Sequence, residues 1–247
     1  MALKIITYKT DEKLIGAVEK SRADSPVKQY IDMLVARFQD IEIPFQEIGG
    51  TVRNVLLKEY HGIDIKPSDT DIILDDSRQK VDLFRLCRGL PGKVDSNYYG
   101  NVKWKIGGHE IDVMKYSSEP ARRGGGISLG NFMMGSDFNL GTIVYDPALR
   151  EILSLNAIEG IKEKKIILMN PNITRPEAAL VRAVNFEKNF GFEMDQNTKD
   201  YIIHIYIPLL DRAIMEYMKY KGMPKDRQDY VIARLDKIRK ESHAAVR

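Results

Sequence analysis

Apolar residues recur along this chain with two different periods, and the change from one to the other organises it. Residues 43–48 form a partly apolar run that reads as a strand, and residues 51–59 follow as a short helix. Residues 69–74 return to strand, with Asp69 and Asp71 two apart ahead of Ile72, Ile73 and Leu74. Residues 80–90 read as an amphipathic helix, since Val81, Phe84 and Cys87 recur at every third position and Pro91-Gly92 ends the run. Two further runs, 99–106 and 110–116, meet at Gly107-Gly108 and predict a hairpin. Residues 142–146 and 151–155 read as a pair of strands, and 162–169 ends in another β-like run.

The two flanks are helical. After a short apolar run at 3–6 and a charged segment compatible with a helix, Ser25-Pro26 predicts a cap for a helix over 27–38. Tyr30, Met33, Leu34 and Phe38 are expected on one face of it. Thr174 is expected to cap a helix over 175–190, with Leu180, Val181 and Val184 as its apolar stripe and Arg182, Asn185 and Asn189 on the polar side. Gly191 reads as its stop. Helices near 197–205, 209–220 and 225–240 follow; in the last, Val231, Leu235 and Ile238 form a seam that leaves Arg227, Arg234, Lys237 and Lys240 outside it. The expected fold class is therefore mixed α/β (α+β), a mixed sheet flanked by helices and followed by an all-helical portion.

Composition narrows the class without selecting a function. At 247 residues, 43% hydrophobic and 30% charged, the chain can bury one substantial core, or a larger domain with a helical appendage. A net charge of +3 permits a nucleic-acid partner but does not argue for one. Cys87 is the single cysteine, which excludes an internal disulfide and a cysteine-rich zinc site, and the four histidines form no ligand pattern. No stretch approaches a membrane-spanning length of apolar residues and no signal-peptide pattern opens the chain, so a soluble, cytoplasmic protein is expected.

The candidate chemistry lies in Gly49-Gly50 and three acids. Glycines at a strand-to-helix turn let backbone N–H groups approach an anion, and the helix start adds partial positive charge. Asp69 and Asp71 would project from one face of their strand, and Asp112 alternates with apolar neighbours in a second one, beside Glu110. Two carboxylates about 4 Å apart repel by roughly 4 kcal/mol at an effective dielectric near 20, so three together call for a cation. A hard divalent ion such as magnesium suits them. Arg122-Arg123-Gly124-Gly125-Gly126 reads as a basic loop, solvated or touching phosphates.

Gly49-Gly50-Thr51-Val52-Arg53-Asn54-Val55-Leu56-Leu57 followed by Asp69-Thr70-Asp71-Ile72 resembles the signature of the class II tRNA nucleotidyltransferase and poly(A) polymerase family, within the DNA polymerase β-like nucleotidyltransferase superfamily. Ser136-Asp137-Phe138 with Tyr145-Asp146-Pro147 is similar to that family's Arg-Arg-Asp-Phe element, and Arg182-Ala183-Val184-Asn185-Phe186 with Gly191-Phe192 to its Arg-Ala-x-Arg-Phe helix. The resemblance implies a catalytic head over residues 1–170 and a helical neck and body over 171–247. It also implies magnesium held by the catalytic acids Asp69, Asp71 and Asp112. A nucleotide triphosphate would be bound by Gly49, Gly50, Arg53, Asp137 and Arg182. A 3′ hydroxyl of RNA, with tRNA the expected partner, would attack the α-phosphate and release pyrophosphate.

Departures from the family pattern are equally specific. Gly135-Ser136 stands where the family has two arginines, and Gly141 where it has an asparagine. The Glu-Asp-x-x-Arg element that reads the incoming base is replaced by Arg175, Pro176 and Ala179. Fewer helices are expected after the neck helix than the family's RNA-binding body contains. These differences keep two other readings in view: the same chemistry on a protein or small-molecule acceptor, and a non-catalytic RNA- or partner-binding relative.

Overall fold

The computed structural model describes residues 6–8, 11–66, 69–97, 99–118, 126–206 and 208–245. The basic stretch at 122–125 and most of the apolar run at 3–6 lie outside them. In chain order β1 (Ile6–Tyr8), α1 (Glu12–Ala23) and α2 (Lys28–Asp40) precede β2 (Phe45–Ile48), α3 (Gly50–His61) and β3 (Thr70–Leu74). Next come α4 (Leu83–Cys87), β4 (Lys93–Ser96), β5 (Val102–Ile106), β6 (His109–Lys115) and α5 (Leu129–Met134). They lead to β7 (Ile143–Asp146), β8 (Glu151–Ser154), α6 (Ala157–Glu163) and β9 (Lys165–Ile166). The chain then runs through α7 (Pro176–Phe190), β10 (Glu193–Met194), α8 (Gln196–Ile205), α9 (Pro208–Tyr220) and α10 (Lys225–Ala245). The fold is mixed α/β with a helical C-terminal region, as expected.

Eight strands form one sheet in the order β1-β8-β7-β2-β3-β6-β5-β4, and β3 with β6 is its one parallel pair among the described residues. Pairing places Ile48, Asp71, Asp112, Lys103 and Asp95 in one transverse row, so their side chains leave the same side of the sheet. The opposite side carries Ile72, Leu74, Val102, Trp104, Ile111 and Val113, all buried against α2 and α4. Trp104 anchors this layer. It is fully buried, and its indole N–H donates to the Pro91 carbonyl at 2.6 Å, satisfying the one polar atom that burial would otherwise strand.

The row's own side is covered only over part of its length. Ile48, Ile73 and Val144 pack with Tyr116, Phe132, Met133 and Leu155, while the polar end of the row stays half-buried or exposed. A third and larger cluster joins α1, α3 and α6 to α7, α8, α9 and α10 through residues such as Val52, Leu57, Val184 and Ile238. The C-terminal helices therefore share an apolar core with the helices that flank the sheet.

Several expected elements are displaced, each for a local reason. The 80–90 helix shrinks to the five residues of α4, because Asp82 caps it by accepting from Arg85 N–H and Arg88 turns extended. α2 starts from Val27, while Ser25 Oγ accepts from Val27 N–H in the turn before it. Its buried stripe is Ile31, Leu34 and Phe38, and Met33, one position off that stripe, is exposed. Arg175 takes the cap position of α7 in place of Thr174, with Pro176 in the first turn. Most of the β-like run at 162–169 is absorbed by α6 and its exit, leaving only β9 as strand. β4, α5 and α6 were not anticipated; β4 is a short edge strand with a single apolar residue, Val94.

Asn139 is buried at the junction that carries Asp137. Its side chain donates to the carbonyls of Asn156 and Lys165, both at 3.2 Å, and accepts from Ile167 N–H at 2.9 Å. A Cβ at Gly160 would stand 1.9 Å from the Asn139 amide nitrogen, so only glycine lets α6 approach. Gly160→Ala is expected to destabilise the protein by about 1–3 kcal/mol, the usual cost of overpacking, measurable as a lower urea midpoint with an unchanged slope.

Candidate active site

The site forms where β2 hands over to α3. Gly49 has φ +73° and ψ −124°, a conformation open in practice only to glycine, and a Cβ there would lie 3.4 Å from Asp71 Oδ2. The bend thus lies directly against an acid from the neighbouring strand. The first N–H groups of α3 have no partner in their own helix, and Thr51 Oγ1 in the same turn is buried without a hydrogen bond. Together they form the donor side of an anion site.

Opposite them, the parallel register sets Asp71 beside Asp112, and Asp69 stands two residues ahead of Asp71 at the entry to β3. Carboxylate oxygens of Asp69, Glu110 and Asp112 come within 4.8 Å of one another. Asp71 adjoins this group from the Gly49 side. Burial pushes its carboxyl up to about 7, with the charges of Asp69 and Asp112 adding and those of Arg53 and Lys103 opposing. Asp112 is also raised, by burial first, against the pull of Lys103. Its Oδ1 is buried and takes no hydrogen bond, although Lys103 Nζ forms an ion pair with it at 3.2 Å.

Two of these residues were not expected at the site. Glu110 carried a legible signal, since it alternates with Asp112 and so shares its side of β6. It pairs with Lys103, whose hydrogen bond and charge outweigh burial and hold Glu110 below the ordinary range. Lys103 carried no such signal, because only the antiparallel register of β5 on β6 places it opposite Asp112. The clustered oxygens fit a hard divalent cation: the donor set is all carboxylate, one oxygen is buried without a hydrogen bond, and the chain already sets an ammonium against them.

Of the expected nucleotide-binding residues, Gly50, Arg53 and Arg182 line one cleft together with Asp69, while Gly49 and Asp137 lie behind Asp71 and Arg182 as their neighbours. Arg53, on the first turn of α3, lies over the rings of Phe186 and Phe190 of α7 at 5.2 and 5.4 Å. Burial lowers its guanidinium to about 10, and Asp71 and Asp69 oppose that shift. Arg182, on the polar side of α7, forms an ion pair with Asp137, whose carboxyl burial raises. The cleft, of about 510 Å³, opens between α3, α7 and α9, lined by Gly50, Arg53, Asp69, Arg182, Lys221 and Arg227 among others.

Arg227 and Arg234 of α10 lie outside the apolar seam but are not available to a ligand as expected. Arg227 donates to the side chains of Asn185 and Asn189, and Arg234 forms a two-pronged pair with Glu187. Arg175 pairs through Nε with Glu177, and Ala179 is fully buried and carries no polar side-chain group. Among the described residues no helix is long and apolar enough to cross a membrane.

Comparison with solved structures gives this architecture a precedent. The chain is similar to a CCA-adding enzyme in an apo form, with a TM-score of 0.68 and 18% identity over 94% of this chain and 54% of that one. It is likewise similar to a Thermotoga maritima CCA-adding enzyme complexed with tRNA, at 0.63 and 19% over 90% and 53%. A CCA-adding enzyme in complex with CTP matches at 0.58 and 19%, over 90% and 49%. The chain thus spans about half the length of these structures, and likeness at this identity shows a shared fold. No protein-family model matches the chain, and no curated protein matches it significantly.

Clustered acids make the metal-free protein sensitive to pH in a defined sense. Asp71 ionises near 7 when folded and near 3.8 when unfolded, so between those values the unfolded chain holds fewer protons and stability falls as pH rises. Magnesium is expected to raise the Tm more near pH 8 than near pH 5. Asp71→Asn is expected to raise the metal-free Tm near pH 8 by roughly 2–4 °C, the shift for about 1 kcal/mol in a chain this long, and to reduce the magnesium-dependent gain. Differential scanning calorimetry at both pH values checks this.

Proposed function

We propose that the chain is a magnesium-dependent, template-independent nucleotidyltransferase that transfers a nucleoside monophosphate from a triphosphate to an RNA 3′ hydroxyl. The observation that carries this reading is the pairing of Asp71 with Asp112 beside the Gly49 bend, on the fold of CCA-adding enzymes. The neighbours that hold tRNA and CTP suggest the two substrates, with a tRNA end the first acceptor to try. In this reading residues 1–170 are the catalytic head and 171–247 the helical neck and body.

Asp69 and Asp112, whose carboxylate oxygens cluster with those of Glu110, would hold magnesium, and Asp71 would join them from the Gly49 side. Bound there, the metal supplies positive charge to the phosphate oxygens and lowers the pKa of the attacking hydroxyl. Gly49, Gly50 and Arg53 bind the triphosphate, and Arg182, oriented by Asp137, contributes a second guanidinium along the cleft. The 3′ oxygen bonds to the α-phosphorus, the bond from that phosphorus to the bridging oxygen breaks, the hydroxyl proton passes to water, and pyrophosphate leaves. The chain's share of the work is positioning and charge, with no covalent intermediate.

Arg175 and Ala179, where CCA-type base readers would stand, favour a second reading in which a protein or small molecule is the acceptor. Incubation with magnesium and each labelled triphosphate, crossed against a tRNA lacking its 3′ end, an intact tRNA and an unstructured oligomer, separates them. Incorporation into RNA is expected, falling at least about 100-fold in Asp69→Ala and Asp71→Ala, because charge stabilisation by a metal is worth several kcal/mol. Label found only on protein or a small molecule by mass spectrometry would select the second reading.

A further inference from the structure

Two lysines of β5 meet the acids of β6. The register sets Lys103 opposite Asp112 and Lys105 opposite Glu110, and residues two apart on a strand share a side, so both ammonium groups lie on the side of the sheet that carries the acids. Glu110 takes most of what they offer. Lys103 Nζ donates to its Oε1, and Lys105 Nζ stands 3.6 Å from its Oε2. Asp112 is served differently: its Oδ1 stands 3.2 Å from Lys103 Nζ, yet that oxygen is buried and takes no hydrogen bond. Lys103 is therefore tied to Glu110 by charge and a hydrogen bond, and to Asp112 by charge alone.

This difference decides what a cation meets on reaching the acids. Carboxylate oxygens of Asp69, Glu110 and Asp112 lie within 4.8 Å of one another, so an ion held among them draws on the same charge that Lys103 neutralises in its absence. Magnesium binds a carboxylate oxygen at about 2.1 Å, so an ion on Asp112 Oδ1 would stand no more than about 5.3 Å from the present position of Lys103 Nζ. Positive charges that close oppose each other in a half-buried site. Asp112 has no directed bond to Lys103 to lose, whereas a metal gives its buried oxygen a direct partner. The Lys103 side chain is 39% exposed and carries its charge on a flexible four-carbon stem, so it has room to turn toward water.

We propose that Lys103 is the counter-ion of the metal-free site, displaced from Asp112 by the incoming divalent cation, and that its charge thereby sets the affinity for that cation. The proposal rests on the metal-dependent nucleotidyltransferase reading for the presence of the ion. Without metal, the ammonium offsets the repulsion among the acids. With metal, the same ammonium opposes the ion. One side chain thus stabilises the empty site and weakens the filled one, and it holds the metal affinity below what the carboxylates alone would give.

Calorimetric titration of the full chain with magnesium in the absence of nucleotide tests this, together with the metal-free Tm. Lys103→Met keeps the stem and removes the charge, so it is expected to bind magnesium at least about tenfold more tightly and to lower the metal-free Tm. Lys103→Arg keeps the charge and is expected to leave both near the wild-type values. Lys105→Met removes the charge paired with Glu110 Oε2 and is expected to tighten magnesium by less. Lys103→Gln carries the same expectation as the methionine variant and replaces it if that variant does not fold. Weaker or unchanged magnesium binding in the uncharged Lys103 variants, or tightening no greater than that of Lys105→Met, would overturn the displacement while leaving the metal site standing. Absence of magnesium binding in the wild type and every variant would overturn this inference and the metal-dependent reading together.

Discussion

The burial of the neighbouring carboxylates Asp71 and Asp112 at one end of the β3–β6 pair is the constraint around which this site is arranged. The parallel pairing of β3 and β6 sets the two residues side by side, and Asp69 and Glu110 bring more negative charge to the same place. Like charges at such separations oppose folding, and the sheet tolerates them because opposite charge is built in around them. Lys103 reaches Glu110 and Asp112 from the next strand, Arg53 approaches Asp71 from α3, and the dipole of α3 points its positive end at the Gly49 bend. Burial first, and the neighbouring carboxylates after it, still hold Asp71 and Asp112 above the ordinary carboxylate range, so this compensation is incomplete. A divalent cation is the ligand that incomplete compensation invites.

The cationic wall has its own support, and it comes from the C-terminal helices. Arg53 is placed over Phe186 and Phe190, which belong to the same buried cluster as Ile214, Leu235 and Ile238. Arg227 and Arg234 of α10 clamp the polar side of α7 through Asn185, Asn189 and Glu187. Rotation of α7 would therefore break the aromatic seat of Arg53 and the clamp of α10 at once. Asp69, at the entry to β3, and the guanidinium groups of Arg53 and Arg182 line one cleft, so charge of both signs is held there by braced elements.

Asp69, Asp71, Asp112 and the glycine pair were legible because short motifs at a strand entry and a strand-to-helix bend carry their meaning locally. Glu110 needed only the alternation of a strand to be added to them. Lys103 was illegible for a physical reason: its place opposite Asp112 depends on which residue of β5 faces which residue of β6, and a one-residue slip would have turned it to the Trp104 side. The short span of α4 and the unexpected β4 follow the same rule, since the apolar period over 80–90 persists where Asp82 and Arg88 confine the helix. Arg227 and Arg234 read as solvated charges because their partners lie some forty residues away on α7.

What the amino-acid sequence determined alone is the class of the fold, the order of its longer elements and the identity of the acids Asp69, Asp71 and Asp112, because periodicity, glycine conformations and spacing two apart act over a few residues. What only the tertiary structure decided is that Asp71 lies opposite Asp112, that Gly49 abuts Asp71, and that Arg227 donates to Asn185 and Asn189 of α7. Register, helix rotation and hydrogen-bond direction arise from contacts between segments far apart in the chain, and those contacts exist only once the shared core has closed around them.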